Sequence, residues 1–490
     1  MANEPAPHNL LTKEGLYQHF EAHADVQINC KAFDYEDVMS QEVLLIYASG
    51  MVDSLLIYDF VLPAVGGLLK EGKLLELKNL HQLLDVSEIN RSPRIKEDLA
   101  TDLFSGQLLL FVCRTEKLFS INVAKMPQRA VDESNMEVSI RGPRDGFVES
   151  SEINMALIRQ RLKTTALVSQ SMTMGTRSNT DVTLLYMEDV INPDILSNIQ
   201  SRLSSIQVDL VSSSYQIEEL LYDQRFSLFP LIDYTGRPDH VVQSLNQGRF
   251  AILVDGSPSC LIGPVNLTYL LKSPEDNQAS FWYVSTERIL RILALLTTIF
   301  LPGFWTALTS YQFDYLPFPL MATVSISRNG LPIAGPIELF IMLVFFELFK
   351  EAGIRLPKSV GQTVAVLGGL IIGDAAIRAG LTSPSTLVVG AITVISSYTL
   401  VNQSLSGNAL LIRFYILLLS SILGIFGFFI GLFTIFIALA RLESFGHPYL
   451  STLQELNRGD LLKTILKIPY KYIKTRFQAY SPTDSDRKKE

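Results

Sequence analysis

Cysteine and histidine are both scarce in this chain, and each scarcity closes off a class of chemistry. The three cysteines, Cys30, Cys113 and Cys260, are odd in number and far apart among 490 residues, which argues against a disulfide framework or a cysteine-rich metal centre. The six histidines, His8, His19, His23, His81, His240 and His447, are scattered. The one close pair, His19 and His23, lacks the glutamate spacing of a zinc protease and any third ligand. No nucleophile elbow, no pair of catalytic carboxylates and no GxxxxGK[ST] or GxGxxG frame is present. The sequence therefore offers no catalytic, cofactor-binding or metal-ligating residues, and an enzyme is not expected. Met1–Leu11 carries no basic-then-apolar run, so a secretory signal is not expected and the region that follows is assigned to the cytoplasm.

The most telling lack is local. From Ile292 to Ala440 only eleven of 149 residues are Asp, Glu, Lys or Arg. Removing charged groups from water is costly unless they are paired, so a soluble domain rarely dispenses with them, whereas a bundle of membrane helices must. The net charge of −8 divides as −13 over Met1–Arg291, +1 over the apolar block and +4 over Arg441–Glu490. An acidic soluble region repels phosphate backbones, so nucleic acid is not an expected partner. In the tail, Arg458, Lys463, Lys467, Lys471, Lys474 and Arg476 interleave with Leu461, Leu462, Ile465, Ile468, Tyr472 and Ile473. That basic amphipathic pattern suits either an anionic leaflet or the protein's own soluble domain.

Two segment pairs recur at nearly one offset. Leu45-Ile46-Tyr47 resembles Leu184-Leu185-Tyr186, and Gly106-Gln107-Leu108-Leu109-Leu110-Phe111 resembles Gly248-Arg249-Phe250-Ala251-Ile252-Leu253. Each half reads as strand, helix, mixed structure, a helix ending at the glycine, then a hairpin, the second turning at Asp255-Gly256. The expected fold class is a duplicated cytoplasmic α/β region followed by an α-helical multi-span membrane domain. The boundaries are an N-terminal helical segment over 1–40, α/β subdomains over 41–139 and 181–284, and a connector with a helix over 140–180, the helix running from about Glu152 to Val168. A membrane domain over 285–442 and a basic amphipathic cytoplasmic tail over 443–490 complete the chain. Arg141, Arg144 and Asp145 in the turn-rich connector, with Arg237 and Asp239, are candidates for interdomain or subunit contacts.

The membrane block divides into apolar stretches near Ile289–Ser310, Ile333–Phe349, Val360–Ile377, Ser385–Leu400 and Ile412–Ala440. The third is poor in bulky side chains and rich in glycine. With both ends of the chain in the cytoplasm the crossings are even in number; four crossings satisfy the basic clusters if the third stretch is re-entrant and lines a pore or cavity. The alternative is a plain fifth span whose glycines allow close helix packing, which puts the tail outside. Gln362, Thr363, Val364, Val366, Gly369 and Asp374, with Glu347, are the pore-lining candidates. Glu347 and Asp374 either attract cations or pair with Lys350, Arg378 or Arg413. The proline-rich segment Tyr311–Ala334 reads as a constrained external loop.

Several longer motifs, in order, resemble one family. Ile140-Arg141-Gly142-Pro143-Arg144-Asp145-Gly146-Phe147, Tyr234-Thr235-Gly236-Arg237-Pro238-Asp239, Ala251-Ile252-Leu253-Val254-Asp255-Gly256-Ser257-Pro258, Ser273-Pro274-Glu275-Asp276, Arg355-Leu356-Pro357 and Ser444-Phe445-Gly446 are similar to the run found in the A subunits of bacterial spore germinant receptors, the GerA family. The resemblance spans about Asp25 to Leu450. It implies a subunit of the spore inner membrane that works with a transporter-like B subunit and a lipoprotein C subunit, forms a homo-oligomer and opens a path for monovalent cations when nutrient binds. A non-conducting scaffold, and the paralogue associated with dipicolinic acid release, are the competing readings.

Overall fold

The computed structural model describes residues 11–35, 38–70, 86–89, 95–125, 141–224, 227–356, 373–451, 465–472, 475–476 and 480–486. The chain divides into two compact units, the first made of Met1–Tyr222, Ile232–Pro264 and Ile473–Glu490, the second of Asp223–Leu231 and Val265–Tyr472.

The first unit holds two five-stranded antiparallel sheets built on one plan. Strands β1 (Val26–Tyr35), β2 (Val38–Ala48), β3 (Val86–Ile89), β4 (Gln107–Val112) and β5 (Lys117–Asn122) lie in the order β1-β2-β4-β5-β3. Strands β6 (Leu167–Met174), β7 (Thr180–Met187), β8 (Asp233–Thr235), β9 (Phe250–Val254) and β10 (Cys260–Gly263) lie in the order β6-β7-β9-β10-β8. The two recurring sequence segments fall on equivalent strands, β2 with β7 and β4 with β9. Gly106 and Gly248, which precede β4 and β9, have φ of +84° and +83° and reverse the chain from helix into strand. At Gly106 a Cβ would lie 2.7 Å from the Met51 carbonyl oxygen, so no side chain fits there.

Alternation along β2 explains its unbroken apolar run. Leu44 and Ile46 face one core with Leu109, Phe111 and helices α1 (Lys13–Phe20) and α3 (Ile95–Leu103). Val43 and Leu45 face the other with Leu108, Leu110 and α2 (Leu62–Lys70), which is entered through a π-helical turn at Ile57–Val61. Both faces are covered, so alternate residues are apolar on both sides.

Two local readings change. The segment over 1–40 contains β1, and the connector helix α4 spans Ser151–Arg159, stopping nine residues before Val168. Ser150 caps its start, and the chain beyond Thr164-Thr165 joins β6, which pairs with β7 along eight residues. β-Branched residues and a waiting strand partner outweigh the helical pattern. Helices α5 (Pro193–Ser205), α6 (Ser214–Leu221) and α7 (Pro238–Leu245) complete the second half.

The second unit is helical: α8 (Phe281–Ser310), α9 (Phe318–Arg328), α10 (Gly335–Arg355), α11 (Gly373–Arg378), α12 (Pro384–Tyr398) and α13 (Gln403–Arg441). Among the described residues α8 and α13 are long and apolar enough to cross a membrane, and α12 is shorter and apolar. The segment expected to be an external loop contains α9, because Pro317 and Pro319 stand where prolines start a helix rather than break one.

The fifth apolar stretch is not one rod. Gly424 leaves helical geometry at φ 62° and ψ −138°. Beyond it the chain folds back: a Cβ at Gly427 would overlap the Leu419 carbonyl oxygen, and one at Gly431 would lie 3.2 Å from Ile416 Cγ1, fifteen residues earlier. In a continuous helix those residues would stand about 22 Å apart. α13 is thus a tight pair of antiparallel arms, residues 403–423 and 425–441. The reversal is held by Tyr311, whose hydroxyl donates to the Ser421 carbonyl at 2.6 Å, and by Gln312, whose Oε1 accepts from Ile425 N at 3.2 Å.

Candidate functional site

The helical unit has two ends, and its polar groups gather at both ends and half-way between. At the end where α8 begins, Asp276, 1% exposed, accepts from Arg288 Nε and Arg291 Nη1, both at 2.8 Å. Lys467 ties the later chain to the same place, its Nζ donating to Ala279 O at 2.7 Å and its backbone N to Ser285 Oγ at 3.1 Å. After α13, Ser444 Oγ donates to Leu231 O at 2.8 Å and accepts from Val265 N at 3.1 Å, while Phe445 N donates to Asp223 Oδ2 at 2.8 Å. Two of the sequence motifs, around Asp276 and Ser444, are therefore fasteners of this end.

At the opposite end Glu338 is buried. Its Oε1 caps α12, accepting from Ser383 N at 2.5 Å, Ser383 Oγ at 2.8 Å and Thr382 Oγ1 at 2.9 Å. Its Oε2 faces Arg328 Nε at 4.0 Å. A carboxylate at a helix N-terminus complements the exposed N–H groups and the macrodipole.

Half-way along, Glu347 on α10 lies 3.2 Å from Lys350 Nζ and 3.7 Å from Arg413 Nη2 on the first arm of α13. Arg413 is 1% exposed, and its Nε and Nη2 have no hydrogen-bond acceptor among the described residues. Lys350 also sits 5.9 Å from the Tyr398 ring centroid of α12. The trio Glu347, Lys350 and Arg413 carries a net positive charge, so Glu347 is compensated rather than poised as a free anion. Asp374 pairs with Arg378 at 2.8 Å on the exposed face of α11. Of the other pore-lining candidates, Gln362, Thr363, Val364, Val366 and Gly369 lie outside the described residues.

In the first unit, Asp145 accepts from Arg161 Nη2 at 2.7 and 2.6 Å, and Arg141 and Arg144 are exposed on the connector. Arg237 and Asp239 are buried and joined to each other through Nε–Oδ1 at 3.0 Å and Nη2–Oδ2 at 2.8 Å. They fasten the start of α7 inside the second half and present no surface for a neighbouring subunit.

Comparison with known proteins adds a family to this pairing of an α/β unit with a charge-poor helical one. Residues 14–479 match the Bacillus/Clostridium GerA spore germination protein family. The chain belongs to the GerA family. Spore germination protein XA of Bacillus anthracis is 40% identical over 96% of this chain and 96% of its own length. Spore germination protein A1 of Bacillus subtilis is 31% identical over 87% of each chain. The membrane protein YfkQ of Bacillus subtilis is 35% identical over 82% of this chain and 78% of its own. A crystal structure of the N-terminal domain of the A subunit of the Bacillus megaterium spore germinant receptor GerK3 is 28% identical, covering 51% of this chain and 93% of that one, with a TM-score of 0.39.

Three polar features of this GerA-family chain carry no sequence signature. Asp25 and Arg159 form a bidentate buried pair at 2.7 and 3.0 Å that joins the two halves, with Ser169 Oγ on the same carboxylate and Arg159 Nη1 on Thr164 O. Burial pushes the Asp25 carboxyl up, but the Arg159 charge and the hydrogen bonds from Arg159 and Ser169 outweigh it and hold it below the usual carboxylate range. Second, the last described residues dock on the second half: Tyr480 is 1% exposed under Arg249, and Thr483 N donates to Val190 O at 3.0 Å. The basic amphipathic residues Arg458, Lys463 and Lys474 lie outside the described residues. Third, burial pushes the Glu218 carboxyl up to about 7, the hydrogen bond from Tyr222 opposing and the Asp233 charge adding.

Glu218 gives a prediction of definite sign. Between its ordinary value of 4.5 and about 7 the unfolded chain ionises while the folded one keeps its proton. Raising the pH from 5 to 8 therefore withdraws up to about 3 kcal/mol from the corner of α6 and β8. Amide exchange across Ser214–Leu221 should speed up over that range in the full chain and lose the dependence in Glu218→Gln; an unchanged dependence in the variant removes Glu218 as its cause.

Proposed function

We propose that this chain is the A subunit of a nutrient-sensing germination receptor, a multi-pass protein of the spore inner membrane with its α/β unit in the cytoplasm. The observation that carries the reading is the continuous family match over residues 14–479, which takes in both units. The charge-poor helices supply the means of residence in a bilayer. The subunit works with a transporter-like B subunit and a lipoprotein C subunit and assembles with copies of itself. Arg141, Arg144 and Asp145, on the connector surface, are the contact candidates that are not buried inside the second half.

In this reading the oligomer is a channel for monovalent cations. Gln362, Thr363, Val364, Val366 and Gly369 line its path, and nutrient binding by the partner shifts a two-state equilibrium between closed and open forms. One observation favours the alternative, a non-conducting scaffold: Glu347 and Asp374 are each paired with a cation and supply no unpaired negative charge. Reconstitution of the purified chain in potassium-loaded liposomes separates the two. A channel is expected to release potassium, with Val364→Ala or Val366→Ala changing the rate at equal protein density. No release from the wild-type chain, alone and together with its B and C subunits, would leave the scaffold standing.

A further inference from the structure

We infer that Arg355 and Gly373 stand at opposite ends of the helical unit, so that the loop carrying Ala379 shares a side with Asn329 and not with Glu351. The inference rests on the membrane reading above and sharpens it, because it fixes which loops share a side.

The direction of each described helix follows from its contacts. Call the end where α8 begins near, and the end where Tyr311 holds Gly424 far. α8 runs near to far. The first arm of α13 runs beside it in the same sense: Gly303 lies against Ile416 and Ser420, and Tyr311 against Ser421 and Gly424. The second arm returns, bringing Phe428 within 5.4 Å of the Phe304 ring and ending at the near-end fasteners around Ser444.

Helices α10 and α12 decide the arrangement, because they are parallel. Glu338, in the first turn of α10, binds Ser383 at the start of α12. Further along, a Cβ at Gly390 would lie 3.4 Å from the Phe346 ring, and Lys350 reaches Tyr398 in the last turn of α12. Both numbers rise together, so the two helices point the same way. Leu339, Leu343 and Leu417 share one cluster with Trp305, six residues below Tyr311, which puts the start of α10 at the far end. Both helices thus run far to near.

The chain leaves α10 at Arg355 near one end; it reappears at Gly373, whose Cβ would sit 3.4 Å from Leu387 in the first turns of α12, and Gly380 faces Leu331 at the far end. Residues 357–372 lie outside the described residues. α12 ends at the near end, where the first arm of α13 begins, and the reversal at Gly424 brings the second arm back there.

Single cysteines in the full chain, on a C30S, C113S, C260A background, test this in sealed membrane vesicles with an impermeant maleimide added outside or loaded inside. Asn329→Cys, Ala379→Cys and Ile422→Cys are expected to label from one side, and Glu351→Cys and Gln403→Cys from the other. Four passages with a re-entrant third stretch would move Ala379→Cys to the side of Glu351→Cys and Gln403→Cys to the side of Asn329→Cys; either move overturns the inference. Leu381→Cys and Ser404→Cys are second reporters at the two deciding loops should the first pair not accumulate. Labelling from both sides at every position would instead defeat the membrane reading itself.

Discussion

Glu347→Gln is expected to destabilise the helical unit by about 3–5 kcal/mol, while Arg413→Met costs little or nothing. The asymmetry follows from the charge balance. Glu347 stands between two cations, Lys350 at 3.2 Å and Arg413 at 3.7 Å, and Arg413 is almost wholly removed from solvent. Neutralising the carboxylate leaves a buried guanidinium with no counter-charge nearby, the costly way to break a buried pair. Removing the guanidinium leaves Glu347 with Lys350 and deletes donors that find no acceptor at hydrogen-bond distance. The double variant Glu347→Gln/Arg413→Met should recover most of the loss. The thermal midpoint of the detergent-solubilised chain and its level in membranes report the effect. Equal damage from Arg413→Met would mean that the guanidinium holds something other than Glu347.

Arg159→Met should be comparably harmful to the α/β unit, also by about 3–5 kcal/mol at neutral pH. It strands Asp25, 8% exposed, with Ser169 as its remaining hydrogen-bond partner at the seam of the two halves. Because Arg159 is what keeps the Asp25 carboxyl low, the variant should regain stability as the pH falls and the stranded carboxyl takes up a proton. The wild type behaves in the opposite sense, since a carboxyl held below its usual range loses its contribution as the pH drops through it. Burial and the Arg159 charge likewise hold His23 below its usual range, so in the wild type its neighbourhood is weakened as the pH falls below that of an ordinary histidine. Thermal unfolding at pH 5.5 and pH 8 separates the cases. Arg159→Met more stable at pH 8 than at pH 5.5 would refute the account.

The sequence makes some of this legible and hides the rest for identifiable reasons. The duplication shows because β2 and β7, β4 and β9 are central strands buried on both faces, where alternation disappears and apolar identity is retained. The edge strands β1 and β6 are not legible: residues such as Gln27, Asn29, Ser169 and Gln170 form strands because a neighbour offers a ladder, and local propensity does not record the neighbour. In the membrane block hydropathy marks depth but not direction, so a reversal inside an apolar run leaves no trace on that scale. Two signals could have shown it. Residues 403–441 are nearly twice the ~20 residues needed to span a bilayer, and Gly424, Gly427 and Gly431 repeat at helical spacing, as close packing of two arms demands. The Asp25–Arg159 pair has no signature at all, because its members are 134 residues apart and each is common on a surface.

The docking of Tyr480 and Thr483 on the second half sets an order of events in biogenesis. The residues that cover Arg249 follow the helical unit in the chain, so the half of the molecule translated earlier stays without this cover until the apolar helices have been made. A chain interrupted anywhere in the helical unit never acquires that cover, and leaves Arg249 without the Tyr480 ring beneath it.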